Sequence, residues 1–267
     1  MPQLSAETAP SRQTEPTAPP RGDASWAWFL DLDGTLLDIA LSPRAVAIPP
    51  RLPTLLRALR ERFGGALAVV TGRALCALAA LLGPERLPAA GQHGAELRFG
   101  DGAIARERRR PASLDILAQA FAGLAAAHRG LVVEDKGVSL AIHYRLAPAS
   151  EPAIRALLQQ HRGRLADGLE ARDSKQAVDI RLRGTDKGTA VDHFMQMAPF
   201  RGRRPLFVGD DTTDRDGFVA ALRQNGDALQ IGPKISDVAP WFLPSPAALR
   251  AWLGRLVVGT AVRRPPG

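Results

Sequence analysis

Two aspartates, Asp31 and Asp33, stand one residue apart at the end of an apolar run from Trp26 to Leu32, and Gly34 and Thr35 follow. Residues i and i+2 of a strand face the same way, so a strand through this run aims both carboxylates at one spot beyond its C-terminal end. Carboxylates so placed repel each other unless a proton or a cation lies between them. A bare Asp-x-Asp is more often a solvated acidic turn. The apolar strand before this one and the Gly-Thr after it point instead to metal-assisted phosphoryl transfer centred on Asp31. A carboxylate can act as nucleophile there and carry the phosphoryl group as an aspartyl-phosphate. Asp33 is suited to protonate the leaving alkoxide and then to deprotonate the attacking water. Gly34 permits the tight backbone and close approach that a phosphate requires.

Three other clusters carry groups that such chemistry needs. Thr71-Gly72-Arg73 supplies a hydroxyl and amides at the start of a helix, a ready anion site, although Thr-Gly-Arg alone is more often a plain turn. Lys187, in Gly184-Thr185-Asp186-Lys187-Gly188, opens another expected helix and would neutralise both Asp31 and a phosphate; alone it would read as a surface lysine. Asp210, Asp211 and Asp214 follow a third apolar run. Two acidic clusters in one pocket demand a divalent cation, and all-oxygen ligands with a phosphate present favour Mg2+. The competing reading makes Asp211 or Asp214 a helix N-cap. Only four of the 35 basic residues are lysines: Lys136, Lys175, Lys187 and Lys234. In so arginine-rich a chain, a retained lysine marks a place for a compact ammonium that a planar fork does not suit. Chance retention suffices for Lys234.

These clusters share one grammar. The runs Trp26 to Leu32, Ala66 to Val70 and Pro205 to Val208 each end in a polar cluster, and the last two lead into helix-like stretches, Ala74 to Leu82 and Thr212 to Arg223. Continuous apolar strands alternating with helices predict a parallel sheet covered on both faces, with ligands beyond the carboxyl ends of its strands. Between about residues 100 and 183 the texture changes. Val138 to Arg145 and Ala177 to Leu182 partly alternate, as strands with one buried face do. Helical stretches Ser113 to His128 and Ser150 to His161 intervene, with Ser113 and Ser150 as expected N-caps and Pro152 in a first turn. The expected organisation is a leader at 1–24, an α/β core at 25–99 and 184–256, an inserted α+β module at 100–183 and a frayed tail at 257–267.

Composition sets the remaining bounds. The 267 residues, 45% hydrophobic, provide one large domain or two modest ones. No apolar stretch approaches the ~18 residues of a membrane span, and the Pro-, Thr- and Ala-rich leader lacks the apolar core of a secretory signal. The single cysteine, Cys76, fits a reducing cytoplasm and is expected as a small buried filler. A net charge of +8 raises nucleic acid as a partner, but apart from Arg106, Arg108, Arg109 and Arg110 the arginines are scattered and not interleaved with aromatics. Attraction of a small anionic substrate explains the charge equally well. The expectation is no nucleic acid and no membrane; the oligomeric state stays open, with a monomer favoured.

In order, Asp31-Leu-Asp33-Gly-Thr35, Thr71, Lys187 and Gly209-Asp210-Asp211 resemble the four motifs of the haloacid dehalogenase superfamily. Asp33 points to its phosphatases. The segments Gly91 to Glu96, Val133 to Gly137, Leu140 to Arg145 and Lys175 to Arg181 are similar to the trehalose-phosphatase family, the likeness covering roughly residues 26 to 250. The resemblance implies a Rossmann-like core with a C2-type cap, a cytoplasmic enzyme and a sugar phosphate substrate, trehalose 6-phosphate. It implies Mg2+ held by Asp31, the backbone carbonyl of Asp33 and Asp210, with Asp211 and Asp214 behind them. Thr71 and Lys187 would assist catalysis. Gly34, Arg73, His93, Glu134, Lys136, Lys175 and Asp179 would meet substrate, the cap residues reaching distal sugar hydroxyls. Roles for His143, Tyr144 and Arg145 stay open. Three residues depart from the family pattern: Asp179 and Arg215 stand where it usually has Glu, and Thr71 where it commonly has Ser. Asp179 keeps another sugar phosphate open as substrate.

Overall fold

The apolar run after the leader forms strand β1 (Trp26–Leu30), every residue of which is buried. The chain continues through α1 (Leu52–Arg62), β2 (Leu67–Val70), α2 (Leu75–Leu82), β3 (Ala89–Gly91), β4 (Glu96–Arg98) and β5 (Ile104–Arg106). A second module follows: α3 (Ala112–Ala127), β6 (Val132–Asp135), β7 (Leu140–His143), α4 (Glu151–Gln160), α5 (Arg162–Ala166), β8 (Leu169–Ser174) and β9 (Ala177–Leu182). The return passes through α6 (Lys187–Met195), β10 (Arg204–Gly209), α7 (Arg215–Arg223), β11 (Asp227–Ile231), β12 (Trp241–Leu243) and α8 (Pro246–Val258). This computed structural model describes residues 22–40, 46–83, 87–100, 102–106, 110–166, 168–174, 176–232 and 237–258. Most of the leader, Arg108, Arg109, Lys175, Lys234 and residues 259–267 of the tail lie outside the described residues.

The large sheet has the order β12-β11-β10-β1-β2-β3-β4-β5, parallel from β12 to β3 and antiparallel beyond. Alternate residues of β1 feed two cores. Trp28 and Leu30 pack with Leu56, Phe63, Leu78 and Trp252 from α1, α2 and α8, while Ala27 and Phe29 pack with Val191, Phe194 and Phe218 from α6 and α7. Burial on both faces is why these strands read as unbroken apolar runs. β1 lies between β10 and β2, so the polar clusters that follow these three strands emerge side by side. The large sheet extends to Arg106, past the boundary at residue 99 read from composition. No helix among the described residues is long and apolar enough to cross a membrane.

The second module is an antiparallel sheet, β6-β7-β9-β8, whose one face packs on α3 and α4 through Leu114, Phe121, Ile142, Ile154, Val178 and Ile180. A pleat with period two turns Glu134, His143 and Asp179 to the other face. The architecture is the expected α/β core with a separate antiparallel cap.

Local expectations fare unevenly. α3 begins at Ala112 behind Pro111, so Ser113 lies inside the first turn, buried, and is no N-cap. Ser150 does precede α4, yet its hydroxyl donates to Ala147 O instead of capping; Pro152 sits in the first turn as expected. Cys76 is exposed, because α2 buries only Leu75, Leu78 and Leu82. Thr212 to Asp214 form a separate 3-10 turn before α7.

Gly217 on α7 lies so close to the Phe207 ring that an added Cβ has no room. Gly217→Ala is therefore expected to destabilise by about 1–3 kcal/mol through overpacking, seen as a lower urea midpoint with unchanged slope. An unchanged midpoint would show that the α7–β10 contact tolerates the added carbon.

Candidate active site

The site starts from a buried ammonium. Asp186 N-caps α6 in a reciprocal box with Thr189, which sets Lys187 in the first turn. Its Nζ donates to Asp31 Oδ1 at 2.7 Å and to Asp214 Oδ1 at 2.6 Å. The Thr35 hydroxyl lies 3.2 Å from Asp31 Oδ2 and 2.9 Å from Asp210 Oδ1. Asp214 Oδ2 accepts the backbone N–H groups of Asp210 and Asp211, each at 2.9 Å. Gly34 makes the turn possible with φ +86°, and a side chain there would collide with Asp210.

Asp31, Asp210 and Asp214 are buried, and their carboxylate oxygens lie within 4.8 Å of one another. Burial and then Asp214 push the Asp31 carboxyl well above its ordinary value, with Lys187 pulling the other way. For Lys187 burial opposes the charge, but Asp214 and Asp31 prevail and hold it far above the usual lysine value. Three carboxyl groups thus face one ammonium, and the donors are all oxygen. A divalent cation fits this set.

Asp33 behaves differently from Asp31. Both of its oxygens are taken by Arg73, Nε to Oδ2 and Nη2 to Oδ1, each at 2.7 Å. Thr71 is buried, and its Oγ1 accepts the Arg73 N–H at 3.2 Å, fixing the loop ahead of α2. The helix lacks a local cap; buried Glu96 supplies one across the sheet, accepting from Leu75 N at 2.8 Å.

The cap forms the opposite wall of a cleft that Asp31, Asp33, Thr71, Arg73, Lys187 and Asp210 line from the core. In cross-strand register Glu134, Ala141 and Asp179 form one row, the small Ala141 leaving space between two acids. Glu134 is held by His143 Nε2 at 3.0 Å. Burial raises its carboxyl, but His143 and Lys136 outweigh that and lower it. Asp179 faces Lys136 at 3.5 Å and His93 at 3.8 Å. It too is held well below the carboxylate range, against its burial, mainly by Lys136 and His93. His93 lies under Gly72, whose added Cβ would meet Nε2 at 2.7 Å. Gln92 and His93 both adopt positive φ, 47° and 59°, a strain of about 1–3 kcal/mol each. Gln92 Oε1 accepts the Ser139 hydroxyl at 2.8 Å, and Arg145 donates to Ala40 O at 2.9 Å, so both tie cap to core.

All the expected site residues within the described set except Gly34 and Asp214 line this cleft, Asp211 included, and Gly34 packs against Asp210; Lys175 lies outside that set. Asp214 is closer in than expected: it touches Lys187 directly and belongs to the acidic triad. Asp211 accepts from Thr212 N as an N-cap, the alternative role weighed for it. Arg215 points away, pairing with exposed Asp237 at 3.3 Å. Tyr144 packs in the cap core, whereas His143 and Arg145 line the cleft. The Thr35 hydroxyl bridge and the His143–Glu134 bond went unassigned in the sequence. Alternation through Leu140 to His143 would have put His143 on the right face.

The trehalose-phosphatase family profile matches residues 29–240. The chain is 40% identical over 235 residues to a probable trehalose-phosphate phosphatase of Sinorhizobium fredii, covering 88% of each chain. It is 38% identical over 261 residues to the trehalose-6-phosphate phosphatase of Escherichia coli, covering 94% of each. The C-terminal domain of the Candida albicans trehalose-6-phosphate phosphatase superposes with a TM-score of 0.76 at 19% identity, over 87% of this chain and 92% of that one; at that identity the likeness concerns the fold.

Burial holds His93 below its ordinary value, and the neighbouring Asp179 only partly offsets this. The folded state therefore keeps His93 neutral where the unfolded chain protonates it, below about pH 6.5. Its contribution is complete above that pH and is lost as pH falls through it. Urea stability is expected to fall between pH 7.5 and 5, by at most about 1.4 kcal/mol per pH unit for this one group. His93→Gln should flatten that slope. Parallel slopes for the two proteins would show that His93 does not carry it.

Proposed function

Because the chain belongs to the trehalose-phosphatase family of phosphoric monoester hydrolases, we propose that it hydrolyses trehalose 6-phosphate to trehalose and inorganic phosphate. The single observation that carries the chemistry is Asp31, buried and held by Lys187 and Thr35 at the strand end. Asp31, Asp210 and the Asp33 backbone carbonyl would hold the cation, Mg2+ by its preference for oxygen ligands. Bound there, it neutralises charge on these carboxylates and on a phosphate.

The chain's own groups account for the rest. A carboxylate oxygen of Asp31 attacks phosphorus in line, forming an aspartyl-phosphate as the bond from phosphorus to the sugar oxygen breaks. Asp33 gives that oxygen its proton. Asp33 then takes a proton from the water that attacks the aspartyl-phosphate, releasing inorganic phosphate and restoring Asp31. Lys187 and Thr71 stabilise the phosphoryl oxygens, the main work of catalysis in this reaction type. Glu134, Lys136 and Asp179 bind hydroxyls of the distal sugar, for which carboxylates and an ammonium are suitable partners. The cap excludes water during transfer.

One observation favours a different sugar phosphate. Asp179, shorter than glutamate by a methylene, is already engaged by Lys136 and His93. Phosphate release over a panel of sugar phosphates, with and without Mg2+, separates the readings. Trehalose 6-phosphate should be strongly preferred and chelation should abolish turnover; equal turnover of glucose 6-phosphate would overturn the assignment. Asp31→Asn should lower kcat by on the order of 10^3-fold or more. Retained turnover would refute Asp31 as nucleophile.

A further inference from the structure

The carboxylate that should handle protons is occupied. Asp33 presents both oxygens to one edge of the Arg73 guanidinium, a paired contact at 2.7 Å and 2.7 Å. Arg73 is largely buried, its side chain 13% exposed, while Asp33 is 38% exposed. The arginine has little freedom to move as a whole. Its N–H bonds to Thr71 Oγ1, and its carbonyl accepts from Gln92 N at 2.9 Å. The aspartate, on the more open side, is the partner able to swing.

A guanidinium edge filled by a carboxylate cannot offer the same two N–H groups to a phosphate, because both anions want the identical fork. Arg73 and Asp33 line the same cleft as Asp31, Thr71 and Lys187, where the phosphoryl group must lie. Occupation of the fork by carboxylate or by phosphate is therefore mutually exclusive. We infer that Arg73 is a shared positioning residue: it clamps Asp33 in the empty enzyme and passes to the phosphate when substrate enters, freeing Asp33 for proton transfer. This rests on the phosphatase reading given above. On the way out the exchange reverses. Asp33 competes with inorganic phosphate for the fork and so helps expel the product. The proton-handling group is thus released only while a phosphoryl group occupies the cleft.

The test is binding of inorganic phosphate by titration calorimetry, at fixed Mg2+ and salt, to the wild type, Asp33→Asn, Arg73→Lys and the double variant. Removing the internal competitor should tighten phosphate binding about tenfold in Asp33→Asn, the scale of one strong paired contact. In the Arg73→Lys background, where no fork exists, the same change should give less than about a twofold gain. Both backgrounds keep a positive charge at position 73, so simple loss of the Asp33 charge predicts equal gains in the two. Equal gains, or none in Asp33→Asn, would overturn the inference while leaving the phosphatase reading intact. Failure of all four folded proteins to bind phosphate would overturn both. Arg73→Gln serves as the second fork-free background should the lysine variant misfold.

Discussion

The structure turns on the Lys187 ammonium held between Asp31 and Asp214 with all three side chains almost wholly buried. Removing such charges from water costs several kcal/mol each, and only close partners offset it. The ion triad therefore fixes the relative positions of the end of β1, the first turn of α6 and the 3-10 turn after β10. Asp214 extends this hold into the backbone by accepting from Asp210 and Asp211. Thr35 joins Asp31 to Asp210 from the other side. What remains is a rigid floor with uncompensated negative charge, suited to a cation and, through it, to a phosphate.

The wall opposite obeys a different rule. Its side chains are placed by pleat and register, so Glu134 and Asp179 share a row with a gap at Ala141 between them. Each acid is already oriented by a base of its own module, Glu134 by His143 and Asp179 by Lys136. The floor thus concentrates charge, whereas the wall presents paired acids and bases at fixed spacing. Gln92 and Arg145 join the two. The left-handed backbone of Gln92 and His93 is held at that junction by packing beneath Gly72 and against the cap.

Much of the floor was legible from the sequence because the chemistry sits where apolar runs stop. A strand end has one position, so Asp31, Thr71 and Asp210 could be brought together before any contact was known. The partner of a long side chain is not fixed in that way. Nothing in the spacing shows that Asp33 turns to Arg73, forty residues away, or that Arg215 leaves the site for Asp237. α2 illustrates a second limit. Its sequence is apolar throughout, so periodicity cannot reveal which face is buried, and Cys76 falls on the open one. Ser113 illustrates a third, since a good capping residue two places too late is simply enclosed by the helix that Pro111 precedes.

The parallel pairing of β1 with β10 has a consequence for synthesis. The Thr35–Asp210 bond spans 175 residues of sequence, so Asp31 leaves the ribosome long before Asp210 and Asp214. At about 5–20 residues per second, β1 waits roughly 10–35 s with its wholly apolar strand paired to β2 alone. During that interval one edge of β1 lacks its partner strand, which leaves it open to pairing elsewhere. The charged floor is among the last features to form, so a chain ending before α6 would carry Asp31 without Lys187, Asp210 and Asp214.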